Sequence, residues 1–118
     1  MTDPRPQIDP SSAEARIARA VVESVPFQAQ VARAGRGALS VDLAYSLLAR
    51  LLVDRGRTPS RRLMAGADLP ERSAEPTLAV LRRLLNLDGC TVVSLDVDGV
   101  TVRLDRAALV EQFGVVGG

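Results

Sequence analysis

The sequence predicts a mainly helical fold that carries one β-hairpin. Apolar residues return every three or four positions along most of the chain, and polar caps and glycines punctuate those runs. After Gly89 the apolar period drops to two.

Residues 1–10 hold Pro4, Pro6 and Pro10 among polar residues without periodicity and read as a flexible tail. Ser11 and Glu14 have the S-x-x-E spacing of a capping box and predict a helix with Ile17, Ala20, Val21 and Ser24 on one face. Pro26 lacks an N–H and is expected to break or kink that helix. Phe27, Val31 and Ala34 continue the stripe to Gly35 and Gly37.

The strongest helical pattern runs from Ser40 to Arg55. Ser40 is the N-cap and Asp42 lies in the first turn, where the helix dipole favours an acid. Val41, Ala44, Leu47, Leu48, Leu51 and Leu52 form the apolar stripe, and Gly56 is expected to end the helix. Thr58-Pro59 predicts cap and first residue of a short helix with Leu63 and Met64 inside, followed by a turn over Gly66–Pro70. A longer helix is expected from Ser73, with Pro76 in its first turn and Leu78, Val80, Leu81, Leu84 and Leu85 buried. Asn86-Leu87-Asp88-Gly89 ends it.

Two strands, Thr91–Val97 and Val100–Leu104, then flank Asp98-Gly99, a two-residue hairpin signal. Asp105 caps a last helix with Ala108, Leu109 and Phe113, and Gly114 stops it. Helix, short helix, turn, longer helix and hairpin is the order of a winged helix-turn-helix domain. The expected organisation is a tail over 1–10, an N-terminal helical extension over 11–37 and a winged-helix domain with a C-terminal helix over 38–116.

At 118 residues, 47% hydrophobic and 25% charged, the chain is long enough to bury one core. No apolar run reaches the length of a membrane span, and the start has neither the basic flank nor the apolar run of a signal peptide. Cys90 is alone, so no intrachain disulfide can form. Together these features predict a cytoplasmic protein that does not engage membranes. Every basic residue is Arg; 15 bases against 14 acids leave a net charge of +1, too small for a global field that would seize DNA.

The sequence contains no His, which excludes Ser-His, Cys-His and His-metal chemistry. A lone Cys cannot build a thiolate metal site, and Asp98 is explained by turn geometry. Gly35-Arg36-Gly37 lacks the residues that follow in a phosphate loop. No catalytic residue, metal site or cofactor is expected. The candidate binding residues are basic. Arg50, Arg55, Arg57, Arg61 and Arg62 fall in thirteen residues with one acid, Asp54. In a helix-turn-helix the short helix and its preceding loop touch the DNA backbone while the next helix enters the major groove. That next helix offers Arg72, Thr77, Arg82 and Arg83 on its polar side. A solvated helix face is the commoner explanation of such a cluster, and Asp96 and Asp98 on the wing would oppose phosphates.

Several stretches resemble a known family. Val25-Pro26-Phe27-Gln28-Ala29-Gln30, with Arg33 and Gly35-Arg36, is similar to a segment near the C-terminus of PglZ-type phosphatases of BREX phage-defence systems. Leu81-Arg82-Arg83-Leu84-Leu85-Asn86-Leu87-Asp88-Gly89, then Val102-Arg103-Leu104-Asp105 and Leu109-Val110-Glu111-Gln112-Phe113-Gly114, resemble the pattern that closes the actinobacterial, type 2 members. The resemblance spans about residues 20–115. It implies the C-terminal domain of such a phosphatase, whose metal-binding Asp and His residues lie in another part of the protein, so no catalytic role carries over. The expected function is a noncatalytic module that docks on protein partners of the BREX assembly, namely the rest of the phosphatase or the methyltransferase. Direct DNA binding is the alternative.

Overall fold

The computed structural model describes residues 12–35, 40–86 and 91–115. Among the described residues six α-helices surround a buried core, and one small antiparallel sheet closes its side. The helices are α1 (Ala13–Glu23), α2 (Val25–Ala34), α3 (Val41–Val53), α4 (Ser60–Gly66), α5 (Ala74–Leu85) and α6 (Arg106–Phe113). The strands are β1 (Arg57–Pro59), β2 (Val93–Leu95) and β3 (Thr101–Leu104).

The cap of α1 is Ser12, whose hydroxyl accepts from the Ala15 N–H at 3.2 Å. The expected Ser11–Glu14 capping box is corrected by this register. With Ser12 at the cap, Glu14 occupies the second helical position and the reciprocal partner site falls to Ala15; Ser11 lies outside the described residues. The buried face of α1 is Ala15, Ile17, Ala18, Val21 and Val22. The chain turns at Ser24, two residues before Pro26. The Ser24 hydroxyl donates to the Val21 carbonyl at 2.6 Å and accepts from the Phe27 N–H at 3.4 Å, so it caps both helices. Pro26 therefore sits in the first turn of α2, where its missing N–H has no partner to lose. Phe27 is fully buried, Gly35 ends α2 in the left-handed region, and Gly37 lies outside the described residues.

Helix α3 is the central element, and α1 packs along it more extensively than any other pair of elements meets. Ser40 caps it through the Leu43 N–H at 3.1 Å, and Ala44, Leu47, Leu48, Ala49, Leu51 and Leu52 are buried. Its end is a Schellman motif. The Gly56 N–H reaches the Leu51 carbonyl at 2.7 Å, and the Arg55 N–H reaches Leu52 at 3.1 Å. The left-handed residue of that motif is Arg55, at φ 60°, and Gly56 follows at φ 83°. Helix α4 ends similarly, with Asp68 at φ 62° and the Leu69 N–H bonded to the Met64 carbonyl.

Thr58-Pro59 does not cap the short helix. Arg57–Pro59 is instead a third strand, pairing β3 in the register Arg57↔Arg103, Thr58↔Val102 and Pro59↔Thr101. Burial explains the change. The Thr58 side chain is fully buried, and its hydroxyl donates to the Asp54 carboxylate at 2.9 Å instead of capping α4. Pro59 is tolerated because β1 is an edge strand. Strand β3 lies between β1 and β2, giving the order β1-β3-β2.

A 3-10 turn, Glu71–Ser73, leads into α5, which buries Thr77, Leu78, Leu81, Leu84 and Leu85. Thr77 thus belongs to the inner face, not the polar side expected of it. Asn86 joins α5 to the hairpin: its Oδ1 accepts from the Val92 and Val93 N–H groups at 2.8 and 2.9 Å, and its Nδ2 donates to the Val93 carbonyl. Leu87, Asp88, Gly89 and Cys90 lie outside the described residues.

The hairpin does not turn on two residues. Its turn centres on Val97-Asp98, with the Gly99 N–H bonded to the Asp96 carbonyl at 2.9 Å, and only Gly99 has positive φ. Asp98 faces back: its carboxylate accepts from the Val100 and Thr101 N–H groups and the Thr101 hydroxyl. The Thr101 N–H, then that of Val100 and the Thr101 hydroxyl, hold this carboxyl below the ordinary aspartate range. Asp105 caps α6 through the Ala108 N–H, and Gly114 ends it in the left-handed region. Leu109 and Phe113 enter the core, where the Phe113 ring meets Phe27 at a centroid separation of 6.4 Å and a tilt of 57°. One buried cluster holds residues from all six helices, β2 and β3.

Three outcomes follow for stability. Phe113→Ala removes the α6 anchor from a buried aromatic contact and should cost about 3–5 kcal/mol in denaturant unfolding. A Cβ at Gly56 would stand 2.5 Å from the Leu104 carbonyl oxygen at an unfavourable φ, so Gly56→Ala should cost about 2 kcal/mol or more by the same measurement. Asp98 has a depressed folded-state pKa. Its stabilisation is present above the unfolded aspartate value and is lost as pH falls through the lower folded value. Thermal midpoints of Asp98→Asn should therefore fall less than those of the parent as pH drops below about 4.

Candidate functional site

The segment from the end of α3 to the start of α4 carries the predicted arginines, and the structure sorts them. Arg50 is a core residue. It is 7% exposed, its guanidinium stands 3.8 Å from the Asp54 carboxylate, and it lies beside Gly66 at the end of α4. Asp54 also accepts from Thr58 and faces Arg62 Nε at 4.0 Å. This one carboxylate, itself mostly buried, ties α3, β1 and α4 together. Its role is to compensate a buried cation, whose isolation would be strongly destabilising. Arg62 is the exposed outer partner of that group.

Arg55, Arg57 and Arg61 are exposed and form no ion pair with a described residue. Arg55 projects from the left-handed corner after α3. Arg57 stands on the outer face of β1. Arg61 lies beside the hairpin in a shallow cleft of about 360 Å³, lined by Pro59, Ser60, Arg61, Glu71, Val100 and Thr101. The Ser60 N–H donates to the Val100 carbonyl at 2.7 Å, which holds the start of α4 against the hairpin.

Arg72 is exposed in the 3-10 turn before α5, not on the helix itself. Arg82 and Arg83 are exposed on the last turn of α5. Ten residues of helical chain put them about 15 Å along the axis from Arg72, at the end where Asn86 meets β2. The seven predicted arginines therefore do not form one patch: Arg55, Arg57, Arg61 and Arg62 share one region, and Arg82 and Arg83 stand apart.

Two features of the region are absent from the sequence reading. Arg103 lies directly across from Arg57 in the sheet, and its guanidinium reaches Asp96 at 3.8 Å. The hairpin tip also exposes apolar side chains: Val97 is fully exposed, Val100 is 55% exposed and Leu95 41%. The alternation of Val100, Val102 and Leu104 could have signalled the outward position of Arg103, but its neighbour on β1 had no strand signature. Around this apolar tip stand Asp96 and Asp98, so its charge is negative.

Among the described residues no three His, Cys, Asp or Glu side chains converge as a metal site requires, and no helix is long and apolar enough to cross a membrane. No curated protein and no solved structure matches the chain. The model of the BREX system PglZ C-terminal domain matches residues 12–114, which spans all six helices and the sheet. The chain belongs to the family of BREX system PglZ C-terminal domains.

Proposed function

We propose that this chain is a noncatalytic assembly module of the phage-defence system, built as a winged helix-turn-helix that docks on protein. The order α3, β1, α4, α5, β2, β3, with β1 added to the hairpin at β3, supports the winged-helix reading of residues 38–116. Helices α4 and α5 are then the helix-turn-helix pair and β2-β3 the wing. Helices α1 and α2, within residues 11–37, are then a helical extension whose Ile17, Val21, Val22 and Phe27 join the shared core. The setting is the cytoplasm, and the partners are the rest of the phosphatase and the methyltransferase.

The wing tip carries this reading. A wing that follows a DNA backbone presents cations to phosphates. The tip of this one presents Val97, Val100 and Leu95 together with Asp96 and Asp98, its exposed Arg103 faces Asp96 at 3.8 Å, and the Asp98 carboxyl is held ionised by its hydrogen bonds. Exposed apolar side chains beside fixed polar groups suit a desolvated protein contact. The cations of the neighbouring segment are also partly committed, with Arg50 buried and Arg62 facing Asp54.

The test pairs the purified chain with the remainder of the phosphatase, and separately with the methyltransferase, in a quantitative binding assay. A complex with one of them should form, and Val97→Ser with Val100→Ser should weaken it about tenfold or more. Duplex DNA should bind only weakly near physiological salt. If neither protein binds, and duplex DNA instead binds below about 1 μM at about 150 mM salt, the DNA-binding reading replaces this one. The log–log salt slope would then approach about −3.6 for four phosphate contacts and halve when two of Arg55, Arg57, Arg61 and Arg62 become Ser.

A further inference from the structure

Arg57 and Arg103 are direct cross-strand neighbours. The ladder on either side of them runs through Leu104 N–H to the Gly56 carbonyl and Ser60 N–H to the Val100 carbonyl. That alternation makes Arg57–Arg103 a non-hydrogen-bonded pair, the position where opposing side chains stand closest, with Cβ atoms about 4.5–5.5 Å apart. Two like charges there destabilise a sheet. Both side chains are exposed, and among the described residues the carboxylate paired with either guanidinium is that of Asp96, at 3.8 Å from Arg103. Arg57 has no acidic partner among the described residues.

The rest of the face follows from the register. Ser94 lies opposite Arg103 on the other side, and Pro59 and Thr101 form the adjacent row. Arg55 flanks the face from the corner after α3. It occupies the left-handed position of the Schellman motif, where glycine would be free of strain. Two costs, an opposed cation pair and a left-handed arginine, thus fall at one edge of the same small sheet. An anionic group bound between the guanidinium forks would offset the first and use the second.

We infer that the outer face of the three-stranded sheet, centred on Arg57 and Arg103, binds an acidic segment of a partner protein by taking its carboxylates between the two guanidinium groups. The inference rests on the protein-docking reading and specifies the chemistry of the partner. A carboxylate fits the bidentate fork of arginine. A continuous phosphate backbone fits less well, because Asp96 borders Arg103 and Glu71 borders Arg61 along the path it would follow. Val97, fully exposed at the adjoining tip of the hairpin, gives an apolar side chain of the same segment a contact that phosphates could not use, whereas Leu95 and Val100 share the face of the buried Val102.

The experiment uses the whole chain and two synthetic twelve-residue peptides, one alternating Glu with Leu and one with every Glu replaced by Gln. Binding is followed by backbone amide shifts. The Glu peptide should bind at least about fivefold more tightly than the Gln peptide, with shifts centred on Ser94, Thr101 and Arg103. Arg57→Ser with Arg103→Ser should abolish that preference, while Arg82→Ser with Arg83→Ser should leave it intact. Arg55→Gly relieves the left-handed strain, so it should raise the thermal midpoint while weakening Glu-peptide binding. Equal binding of the two peptides, or a preference that survives the Arg57/Arg103 change, would overturn the inference. So would a twenty-base-pair DNA duplex that competes away the Glu peptide at equal charge, in favour of a nucleic-acid face. Loss of partner binding through Val97 and Val100 alone, with Arg57 and Arg103 silent, would leave the docking reading standing and remove only this one.

Discussion

The corner between α3 and β1 is the constraint on which the arrangement depends. Within three residues the chain must end a buried helix, reverse into the left-handed region and enter a sheet whose central strand lies more than forty positions later. Gly56 makes both ends of that connection. Its N–H closes the helix on Leu51, and its carbonyl receives the Leu104 N–H at 2.8 Å. There is no room for a side chain because the Leu104 carbonyl passes over the same spot. Asp54 secures the corner from below, drawing Thr58, Arg50 and Arg62 toward one carboxylate. The basic segment is therefore an architectural joint first, and only the arginines that point away from it are available to a partner.

This division explains how a chain of nearly zero net charge can have a strongly polarised side. Arg50 is consumed in the core and Arg62 is shared with Asp54. Arg55, Arg57 and Arg103 face outward around the sheet, while the hairpin a few ångströms further along the strands turns acidic and apolar. On the proposed docking reading, a surface on which cation, carboxylate and aliphatic groups alternate over such short spans would discriminate among protein surfaces better than it would grip a uniform polyanion.

Most helices were legible because their signals are local. Ser40 and Asp105 cap the helices that their spacing announces, and the leucines of α3 and α5 are buried where their period places them. The structure departs from that local reading where a side chain or strand meets a partner that the spacing does not reveal. Three residues ending in proline have no strand pattern of their own, and β1 exists only because β3 pairs with it. Without β1, Arg103 has no neighbour and the outer face of the sheet cannot be foreseen. A charged residue among leucines reads as solvent-facing, yet Arg50 is internal because Asp54 follows one helical turn later and is itself positioned by Thr58. The hairpin turn was off by one residue for a subtler reason. Asp98 uses its carboxylate to gather N–H groups, which leaves the positive-φ position to Gly99 alone.

The central place of β3 has a consequence for how the molecule comes into being on a ribosome. Strands β1 and β2 do not touch; each is paired only through β3, which is synthesised after both. The helices α1 to α5 can meet as they emerge, but no strand can pair until β3 begins to leave the exit tunnel. Phe27, made early, waits longer still for the ring of Phe113. During that interval two short strand edges and an aromatic pocket stand open, so the nascent chain offers its partners, and chaperones, a surface that the finished protein no longer displays.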